Sequence, residues 1–310
     1  MKSSNRLNII KLGGEYYVIG KIGTDICQCK YEEVTDFIEG ASRVRLNGRY
    51  GFIDETGKEI IPCKYGWAED FKDGLAQVVL NSKYGYIDKT GREVIPCKYD
   101  WIGDFEEGLA AVCLNGKWGF IDKTGKEVIP LKYDFAYGFS GGLAEVELNE
   151  KHSFIDTTGR EIIPLKYDYV YDFEEGLSRV CFNNKYGFMD KSGREVIYCK
   201  YDYAYDFHEG FAVVQLNRKI GLINTQGKEI IPFIFDTIEI IGSVIMVGLN
   251  YQYGVINYNG EYILPCQYDD IKVFDKRIIA KKSKTNYEFN LSGELLNIRN
   301  LEDANFYWVF

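Results

Sequence analysis

Carboxylates recur at turns of this sequence in a spacing that could indicate acid–base chemistry. The segment Asp54-Glu55-Thr56-Gly57 is one example, and equivalent segments follow about every 34 residues. A catalytic Asp-Thr-Gly motif would place the carboxylate directly before Thr-Gly, whereas here one residue intervenes. Later copies carry Asn224, Asn257 and Asn290 at the Asp position. Because an amide oxygen replaces the carboxylate, we expect this side chain to accept turn hydrogen bonds rather than to exchange protons.

Metal-binding and nucleophilic chemistry are also poorly supported. Acidic loops such as residues 104–108 and 172–176 lack the Asp-x-Asp-x-Asp-Gly pattern of a calcium loop, and Ser140-Gly141 replaces the Glu pair in one copy. His152 and His208 stand in unrelated positions of the repeat, with no Ser or Cys nucleophile motif nearby. Neither a P-loop nor a dinucleotide fingerprint occurs. The sequence therefore predicts no catalytic residue, no metal and no cofactor, and hence no enzyme.

The cysteines are predicted to be reduced packing residues. Five of the 8 occupy one column of the repeat, in which Leu131, Leu165 and Phe233 stand in other copies. A position that accepts Cys, Leu or Phe is an apolar slot, and free Cys behaves there as a small hydrophobe. We expect Cys63, Cys97 and Cys199 to be buried and unbonded beneath the Tyr two residues on, which fits a reducing compartment.

One aromatic pattern exceeds the background and supplies the candidate ligand-binding residues. Within a short segment of successive copies, aromatic residues alternate, so that those two positions apart share one face of a strand. Its Phe column, which includes Phe139, is expected to be buried, while the remaining rings either form the core between copies or offer a stiff amphipathic surface for a peptide or a sugar chain. The candidate residues are Trp67, Trp101, Phe135, Tyr137, Tyr169, Tyr171, Tyr203 and Tyr205.

These residues belong to an internal repeat of about 34 residues that fills the chain. The stretch from Tyr50, YGFIDETGKEIIPCKYGWAEDFKDGLAQVVLNSK, aligns with the stretch from Tyr84, YGYIDKTGREVIPCKYDWIGDFEEGLAAVCLNGK. A single array of nine copies is predicted over residues 1–310, with approximate boundaries 5–39, 40–73, 74–107, 108–141, 142–175, 176–209, 210–243, 244–276 and 277–310.

Each copy is predicted to be a meander of antiparallel strands. Strand C, for example Leu75 to Leu80, has small or apolar even positions and variable odd ones, the period of a half-buried strand. A tight turn at Asn81 and its equivalents leads into strand A, which is apolar on both faces and should lie in the middle of its sheet. A Thr-Gly turn then requires a conformation that Gly adopts cheaply.

Strand B follows, from Glu59 to Tyr65, and carries all 6 prolines of the protein in one column, represented by Pro62. Because proline cannot donate to a ladder, one side of strand B must be unpaired or bulged there. Three antiparallel strands end at the edge of the sheet opposite to the one where the next copy must begin. A short fourth strand D, such as the segment that begins at Trp101, is therefore expected to make the crossing.

The spaced residues of these copies resemble the bacterial WG (KWG) repeat family. The resemblance rests on Lys117-Trp118-Gly119-Phe120-Ile121-Asp122, on residues 124–130 and 133–134, and on residues 142–146. It covers nearly the whole chain, although the signature Trp occurs only at Trp118, and the first and last copies have lost the Pro and the Phe-Ile-Asp core. The resemblance implies an all-β bacterial repeat protein and names the fold unit better than the function.

The expected fold class is thus an all-β tandem repeat of antiparallel meanders. Nine copies with an even strand number favour a β-propeller-like ring, although nine exceeds the usual number of blades. The eroded terminal copies fit the caps of an open β superhelix instead. The sequence does not decide between the ring and the superhelix, and the ring is preferred.

Composition restricts the partners. A net charge of −9 is unfavourable for general nucleic-acid or membrane binding. The beginning of the sequence shows no apolar signal segment, which favours a cytoplasmic location. By analogy with other repeat scaffolds, a non-enzymatic scaffold that binds a protein or peptide partner is the leading hypothesis, and a glycan or cell-wall binding module is the alternative.

The partner is expected at one particular edge of the array. If D is a strand, the Thr-Gly turn, with Arg92 and its equivalents, and the acidic D–C loop, with Glu106 and its equivalents, share an edge of every sheet. Their charges would form a rim of ion pairs, each weak when exposed. The partner should then meet the opposite edge, where the Asn turns and corners such as Tyr133-Asp134 lie.

Overall fold

The computed structural model describes residues 31–300 together with the strand segments 8–12, 15–19 and 26–28. All regular elements in these described segments are β-strands, arranged in nine antiparallel sheets. The chain divides into two compact units, which are residues 1–150 with 154–161 (unit 1) and residues 151–153 with 162–310 (unit 2). The all-β tandem repeat expected from the sequence is confirmed, while the choice between ring and superhelix stays a prediction.

The strands of unit 1 in chain order are β1 (Asn8–Leu12), β2 (Glu15–Ile19), β3 (Ile26–Gln28), β4 (Glu33–Val34), β5 (Ala41–Leu46), β6 (Arg49–Asp54), β7 (Glu59–Tyr65), β8 (Trp67–Ala68), β9 (Leu75–Leu80), β10 (Lys83–Asp88), β11 (Glu93–Tyr99), β12 (Trp101–Ile102), β13 (Leu109–Leu114), β14 (Lys117–Asp122), β15 (Glu127–Tyr133), β16 (Phe135–Ala136) and β17 (Leu143–Leu148). Strand β18 (Lys151–Asp156) contains the division between the units.

The strands of unit 2 are β19 (Tyr169–Glu174), β20 (Leu177–Phe182), β21 (Lys185–Asp190), β22 (Glu195–Tyr201), β23 (Tyr203–Ala204), β24 (Phe211–Leu216), β25 (Lys219–Asn224), β26 (Glu229–Phe235), β27 (Thr237–Ile241), β28 (Val244–Leu249), β29 (Gln252–Ile256), β30 (Tyr262–Tyr268), β31 (Asp270–Phe274), β32 (Arg277–Lys282), β33 (Thr285–Phe289) and β34 (Leu295–Asn300). A full sheet, such as β23-β24-β25-β26, runs through its strands in sequence order.

The short strand D is confirmed, and it begins a sheet rather than ending one. In the sheet β8-β9-β10-β11, Trp67 of strand D pairs with Val79 of the strand C that follows it. The boundaries drawn from the sequence, such as 73/74, therefore separate strand D from the strand C with which it pairs. Each sequence copy supplies three strands to one sheet and the first strand to the next, which ties neighbouring copies together by backbone hydrogen bonds.

Strands A and B pair across a bulge that explains two columns of the repeat. In strand A, Tyr84 pairs with Tyr99 and Tyr86 pairs with Ile95, so three residues of strand B, Pro96 among them, lie opposite Gly85. A Cβ atom added to Gly85 would lie 2.5 Å from the carbonyl oxygen of Ile95. This bulge, which the proline column predicted, removes the need for an amide proton at proline. It also requires a glycine at the opposite position of strand A.

Ser153 stands where the other copies have that glycine, and its surroundings differ. Its side chain is buried, and its hydroxyl donates to the carbonyl oxygen of Ile163 at 2.6 Å. Residues 161–167 form isolated bridges, His152 with Tyr167 and Ile155 with Glu161, instead of a strand. A side chain at this position occupies the space that the strand B bulge fills elsewhere, so the regular strand is lost.

The hydrophobic core lies between neighbouring sheets within each unit. In unit 1, Phe52 and Ile61 of one sheet pack against Ala68, Phe71 and Val78 of the next. Strand A is buried on both faces in the middle of its sheet, as expected: Phe52 and Ile53 are each 1% exposed. The Thr-Gly and Asn turns also adopt the predicted left-handed backbone, with φ of +82° at Gly57 and 52° at Asn81.

The odd positions of strand C do not face solvent as expected. Gln77 and Arg179 are buried although they are polar. The physical reason is that strand D of the following sheet covers this face of strand C. Gln77 then donates from Nε2 to the backbone carbonyl oxygen of Ile102 at 2.8 Å, which satisfies the buried amide.

Candidate functional site

The candidate aromatic residues lie on the outward face of strand D. Trp67 is 44% exposed and Trp101 is 41% exposed, whereas the intervening position, Ala68 or Ile102, is buried. The other exposed rings are Tyr137, Tyr169, Tyr203 and Tyr205, and Phe135 and Tyr171 are half-buried. The Phe column turns inward, with Phe139 at 2% exposure. Six of the eight residues are thus exposed rather than core.

The structure brings the unit 1 rings into a chain of contacts. Trp101 lies 5.0 Å from Trp118 between ring centroids, Trp118 lies 4.7 Å from Phe135, and Phe135 lies 4.9 Å from Tyr137. The connecting ring, Trp118, is the signature Trp of strand A. Sequence reasoning missed it as a site residue, although its regular spacing of 17 residues from the first ring of strand D was readable.

Unit 2 contains a related but separate set of rings. Tyr186 of strand A lies 5.3 Å from Tyr203, which lies 5.1 Å from Tyr205. His152 lies 5.6 Å from Tyr169, so its ring is a member of the aromatic column. The candidate residues therefore gather as two groups, one in each unit.

A groove in unit 1 contains the two exposed indoles. Its volume is about 790 Å³, and its walls include Trp67, Tyr84, Trp101, Gln77 and Asp104. The remaining lining residues are Arg49, Gly66, Glu69, Val79, Asn81, Ser82, Ile102 and Gly103. A second cavity of about 400 Å³ shares Trp67, Glu69, Gln77 and Asp104 with it. The groove therefore combines three aromatic side chains with six polar or charged ones.

Gly103 fixes the position of the Trp101 ring. A Cβ atom added to Gly103 would lie 2.7 Å from Cη2 of Trp101, so the indole lies across the backbone of its own strand. Other copies carry Glu69, Tyr137 or Tyr205 at this position. The absence of a side chain at Gly103 therefore leaves room for the Trp101 ring in the wall of the groove at this copy.

The edge that carries the Thr-Gly turns has ion pairs, but with other partners than predicted. The D–C loop does share this edge, since Leu75 at the start of strand C pairs with Asp88 at the end of strand A. Arg92 pairs with Asp88 of its own turn at 2.9 Å rather than with Glu106. Lysines such as Lys89 reach the acidic loop of the preceding sheet instead.

The carboxylate of Glu39 shows how these contacts join neighbouring sheets. It lies 3.2 Å from Lys89 Nζ and accepts a hydrogen bond from the Gly74 amide at 2.9 Å. The hydrogen bond from Lys89, followed by that from Gly74, lowers the pKa of Glu39. Lys123 pairs with Asp73 in the equivalent way at 3.0 Å.

The opposite edge, expected to be available to a partner, also carries ion pairs. Asp134, in a Tyr-Asp corner, pairs with Lys117 at 2.5 Å and accepts a hydrogen bond from the Asn149 amide at 2.7 Å. The Lys117 contact is the main cause of the lowered pKa of Asp134. The prediction that only one edge is occupied by its own charges is wrong, because each Lys at the start of strand A reaches the Asp that leads into the next sheet. The aromatic face between the edges carries exposed rings.

The carboxylates of the Thr-Gly turns are turn acceptors, as predicted. Asp54 Oδ1 accepts hydrogen bonds from the Thr56 amide at 2.9 Å, the Thr56 hydroxyl at 2.5 Å and the Lys58 amide at 3.0 Å. The hydroxyl contact is the first cause of the lowered pKa of this carboxyl. Such a carboxylate stays ionised and has no proton to give near neutral pH.

The described thiols of the repeat column are outside disulfides, but they are less covered than predicted. Cys63, Cys97 and Cys199 are half-buried rather than buried, because strand B is the edge strand of its sheet. Cys97 nevertheless packs against a core cluster, and burial raises its pKa to about 11. Cys27 and Cys29 fall outside the side chains that the structure describes.

The described part of the chain offers neither a metal-binding cluster nor a membrane-spanning helix. No group of three or more His, Cys, Asp or Glu residues there could hold a metal ion. No helix in the same residues is long and apolar enough to cross a membrane.

Comparison with known families decides the classification. The model of the WG containing repeat matches residues 26–50, 50–84, 84–118, 118–151, 153–186, 186–219, 220–242 and 253–280. The chain belongs to this WG-repeat family. The matched segments lie end to end, apart from residue 152 and residues 243–252, so the family assignment covers the groove and all rings of both aromatic groups except His152. No curated protein matches the sequence.

Solved structures resemble this WG-repeat protein only distantly. A eukaryotic initiation factor is 10% identical, with 94% of each chain covered and a TM-score of 0.36. Hsv2 from Kluyveromyces lactis is 9% identical, with 74% and 96% covered and a TM-score of 0.29. Apo AztD from Citrobacter koseri is 12% identical, with 93% and 92% covered and a TM-score of 0.24. At these scores the likenesses carry no argument about fold or function.

Proposed function

We propose that this WG-repeat protein is a non-enzymatic scaffold that holds a protein or peptide segment in the groove between Trp67 and Trp101. The observation that carries the proposal is the pair of exposed indoles on the walls of one groove of about 790 Å³. Trp is enriched among residues that dominate binding energy, because a large rigid ring buries much surface at little entropic cost. Partly exposed indoles in a concave site are ready for such burial.

The polar lining of the groove favours an extended peptide. Asn81 and Ser82 lie at the turn end of the groove, and Glu69 and Asp104 lie beside the rings. Amide, hydroxyl and carboxylate groups can hydrogen-bond the backbone and side chains of a peptide, while the indoles contact its apolar parts. We further propose that the protein acts in the bacterial cytoplasm, a location supported by the half-buried thiols of Cys97, Cys199 and Cys266, which form no disulfide. Detection of the chain in a membrane or secreted fraction would contradict that location.

The test is affinity capture that depends on one ring. The wild-type protein, Trp101→Ala and Tyr251→Ala are each used as bait in a bacterial lysate, and captured proteins are quantified by mass spectrometry. Tyr251 is the matched control, because it is a surface aromatic at 99% exposure outside the groove. A hot-spot ring is worth at least about 2 kcal/mol, so Trp101→Ala should reduce capture of the partner roughly 30-fold. Equal capture by all three baits would count against the proposal.

A glycan is the second candidate ligand. Exposed indole faces next to the carboxylates of Glu69 and Asp104 could stack on a sugar ring and accept its hydroxyl hydrogen bonds. Retention on peptidoglycan or polysaccharide beads that is lost in Trp101→Ala would support this candidate. A nucleic acid or a membrane surface is disfavoured, because the net charge is −9 and the groove contains carboxylates.

A further inference from the structure

The fold contains two internal arginines that occupy the same niche between neighbouring sheets. Arg43 donates from Nη1 to the carbonyl oxygen of Ala68 at 2.8 Å, and its Nε lies 3.8 Å from Asp70. Its guanidinium carbon lies 5.7 Å from the ring centroids of both Tyr50 and Trp67. The niche thus offers a carbonyl oxygen, a carboxylate and aromatic rings to one guanidinium group.

Arg179 in unit 2 makes the same contacts to a carbonyl oxygen, a carboxylate and the ring of strand A, but its nearest ring stands at a different position of the repeat. It donates from Nη1 to the carbonyl oxygen of Ala204, and its Nε lies 3.1 Å from Asp206. Its guanidinium carbon lies 3.9 Å from the ring centroid of Tyr171 and 5.9 Å from that of Tyr186. The carbonyl, the carboxylate and the strand A ring are equivalent partners of the two arginines, so this part of the geometry is a property of the repeat. Planar guanidinium groups suit such sites because they stack on rings and hydrogen-bond in their own plane.

The Trp67–Trp101 groove is this niche without its arginine. The strand A ring, the residue that supplies the carbonyl and the carboxylate lie 7, 25 and 27 residues after Arg43 in the sequence. The same spacings counted from Gln77 reach Tyr84, Ile102 and Asp104. Gln77 replaces the hydrogen bond to the carbonyl oxygen. Its neutral side chain leaves the negative charge of Asp104 without the guanidinium that both other copies supply, and it leaves Trp101 without the guanidinium that Arg43 places near Trp67.

The carboxylate of Asp104 is accessible to an incoming cation. Its side chain is 53% exposed, against 32% for Asp70 beside Arg43. Its present partner is Lys72 at 3.1 Å, whose side chain is 71% exposed, so this is a weak surface pair that a better-placed cation can displace. Among the other copies without arginine, those with Ala111 and Val213 carry Gly138 and Ile240 at the acid position and offer no such charge. The copy with Glu145 carries Asp172 there, but its own acidic side chain stands where the guanidinium of Arg43 begins.

We infer that the groove recognises an arginine side chain of its peptide partner, with the guanidinium between Trp101 and Asp104, as Arg43 places its own near Trp67 and Asp70. This inference rests on the proposed peptide-binding function and names the residue that is recognised. The stack on an indole and the charge-assisted hydrogen bond to a carboxylate both act on the same group. Recognition of arginine over lysine follows from the planar shape of the niche.

The experiment compares two short-peptide libraries on the immobilised full chain. One has arginine fixed at the centre, and the other has citrulline, which has nearly the same shape but is uncharged. Arginine peptides are expected to be retained about tenfold more strongly than citrulline peptides. Asp104→Asn should remove most of this preference, whereas Asp206→Asn, the same change in a niche already filled by Arg179, should leave it unchanged.

A second variant fills the niche from inside. Gln77→Arg is expected to reproduce the contacts of Arg43, so it should keep the thermal stability and lower peptide binding by about tenfold or more. Equal retention of both libraries that is lost in Trp101→Ala would overturn the arginine inference and leave the peptide-binding function standing. Binding that Trp101→Ala does not change would overturn both. Arginine-selective binding that persists in Gln77→Arg and Asp104→Asn would overturn the assignment to this niche.

Discussion

The glycine of strand A opposite the bulge supplies a sharp test of how neighbouring strands fit. In Gly119→Ala, the new Cβ would lie 2.6 Å from the carbonyl oxygen of Ile129 and 2.8 Å from the amide nitrogen of Leu131. Both atoms belong to the backbone of strand B, so no side-chain rotation can relieve the contact. Strand B must move away, and the pairs of Trp118 with Tyr133 and Phe120 with Ile129 must weaken.

The size of the effect follows from the groups that are exposed or left unpaired. Two buried backbone groups that lose their hydrogen bonds cost about 1–3 kcal/mol each. Replacement of Gly by Ala offsets about 0.4–1 kcal/mol of this cost, because it lowers the conformational entropy of the unfolded chain. The net destabilisation is therefore about 1–6 kcal/mol. For a cooperative unit of roughly 150 residues, the Tm should fall by roughly 2–24 °C.

The assay is thermal and urea unfolding, with hydrogen exchange to locate the change. Gly66→Ala is the matched control, because its new Cβ would meet its nearest atoms at 3.6 and 3.7 Å, which is ordinary contact. Gly119→Ala should show faster exchange in strands A and B of its own sheet, while the control should not. The fit between bulge and glycine would be refuted if the free energies of unfolding of the two variants agreed within about 0.5 kcal/mol.

Three further outcomes can be measured. Burial raises the pKa of Cys97 to about 11 and that of Cys199 to about 12, so a thiol reagent near neutral pH should label both at least about tenfold more slowly in the native protein than in urea. The pKa of Asp88 is lowered from 3.8 to about 2, mainly by the Thr90 hydroxyl. Its stabilising contribution should therefore be present above pH 4 and be lost as the pH falls towards 2, which a titration by NMR and urea midpoints against pH would follow. Gly103→Ala should displace the exposed Trp101 ring and weaken peptide binding, while changing the free energy of unfolding by no more than about 1 kcal/mol; an unchanged fluorescence spectrum and affinity would contradict the proposed role of Gly103.

Much of each sheet could be predicted from the sequence because local rules decide it. The periods of two in strand C, the Asn and Thr-Gly turns and the proline column each report a backbone requirement within one copy. Strand B was placed at Glu59–Tyr65 and strand C at Leu75–Leu80, and both ranges agree with the structure. The repeat then multiplied each local signal across the chain, which made a weak pattern readable.

The site was predicted less completely, since it depends on contacts between copies. The exposed rings of strand D were named from their alternation, but Trp118, which connects them in unit 1, was not. The odd residues of strand C were expected to face solvent, because a period of two cannot reveal that another sheet covers the second face. The ion pairs at both edges likewise join residues of different sheets, such as Lys117 and Asp134.

The sequence by itself determined the repeat, the strands, the turns and the bulge, because each is a conformational demand of residues close together in the chain. Only the tertiary structure decided that strand D pairs with the next strand C, and that Gln77 lies where Arg43 and Arg179 hold their guanidinium groups. The physical reason is that these contacts depend on how one sheet packs on its neighbour within a unit. The groove arises at one copy because a shorter side chain at Gln77 and a missing one at Gly103 coincide there with two indoles.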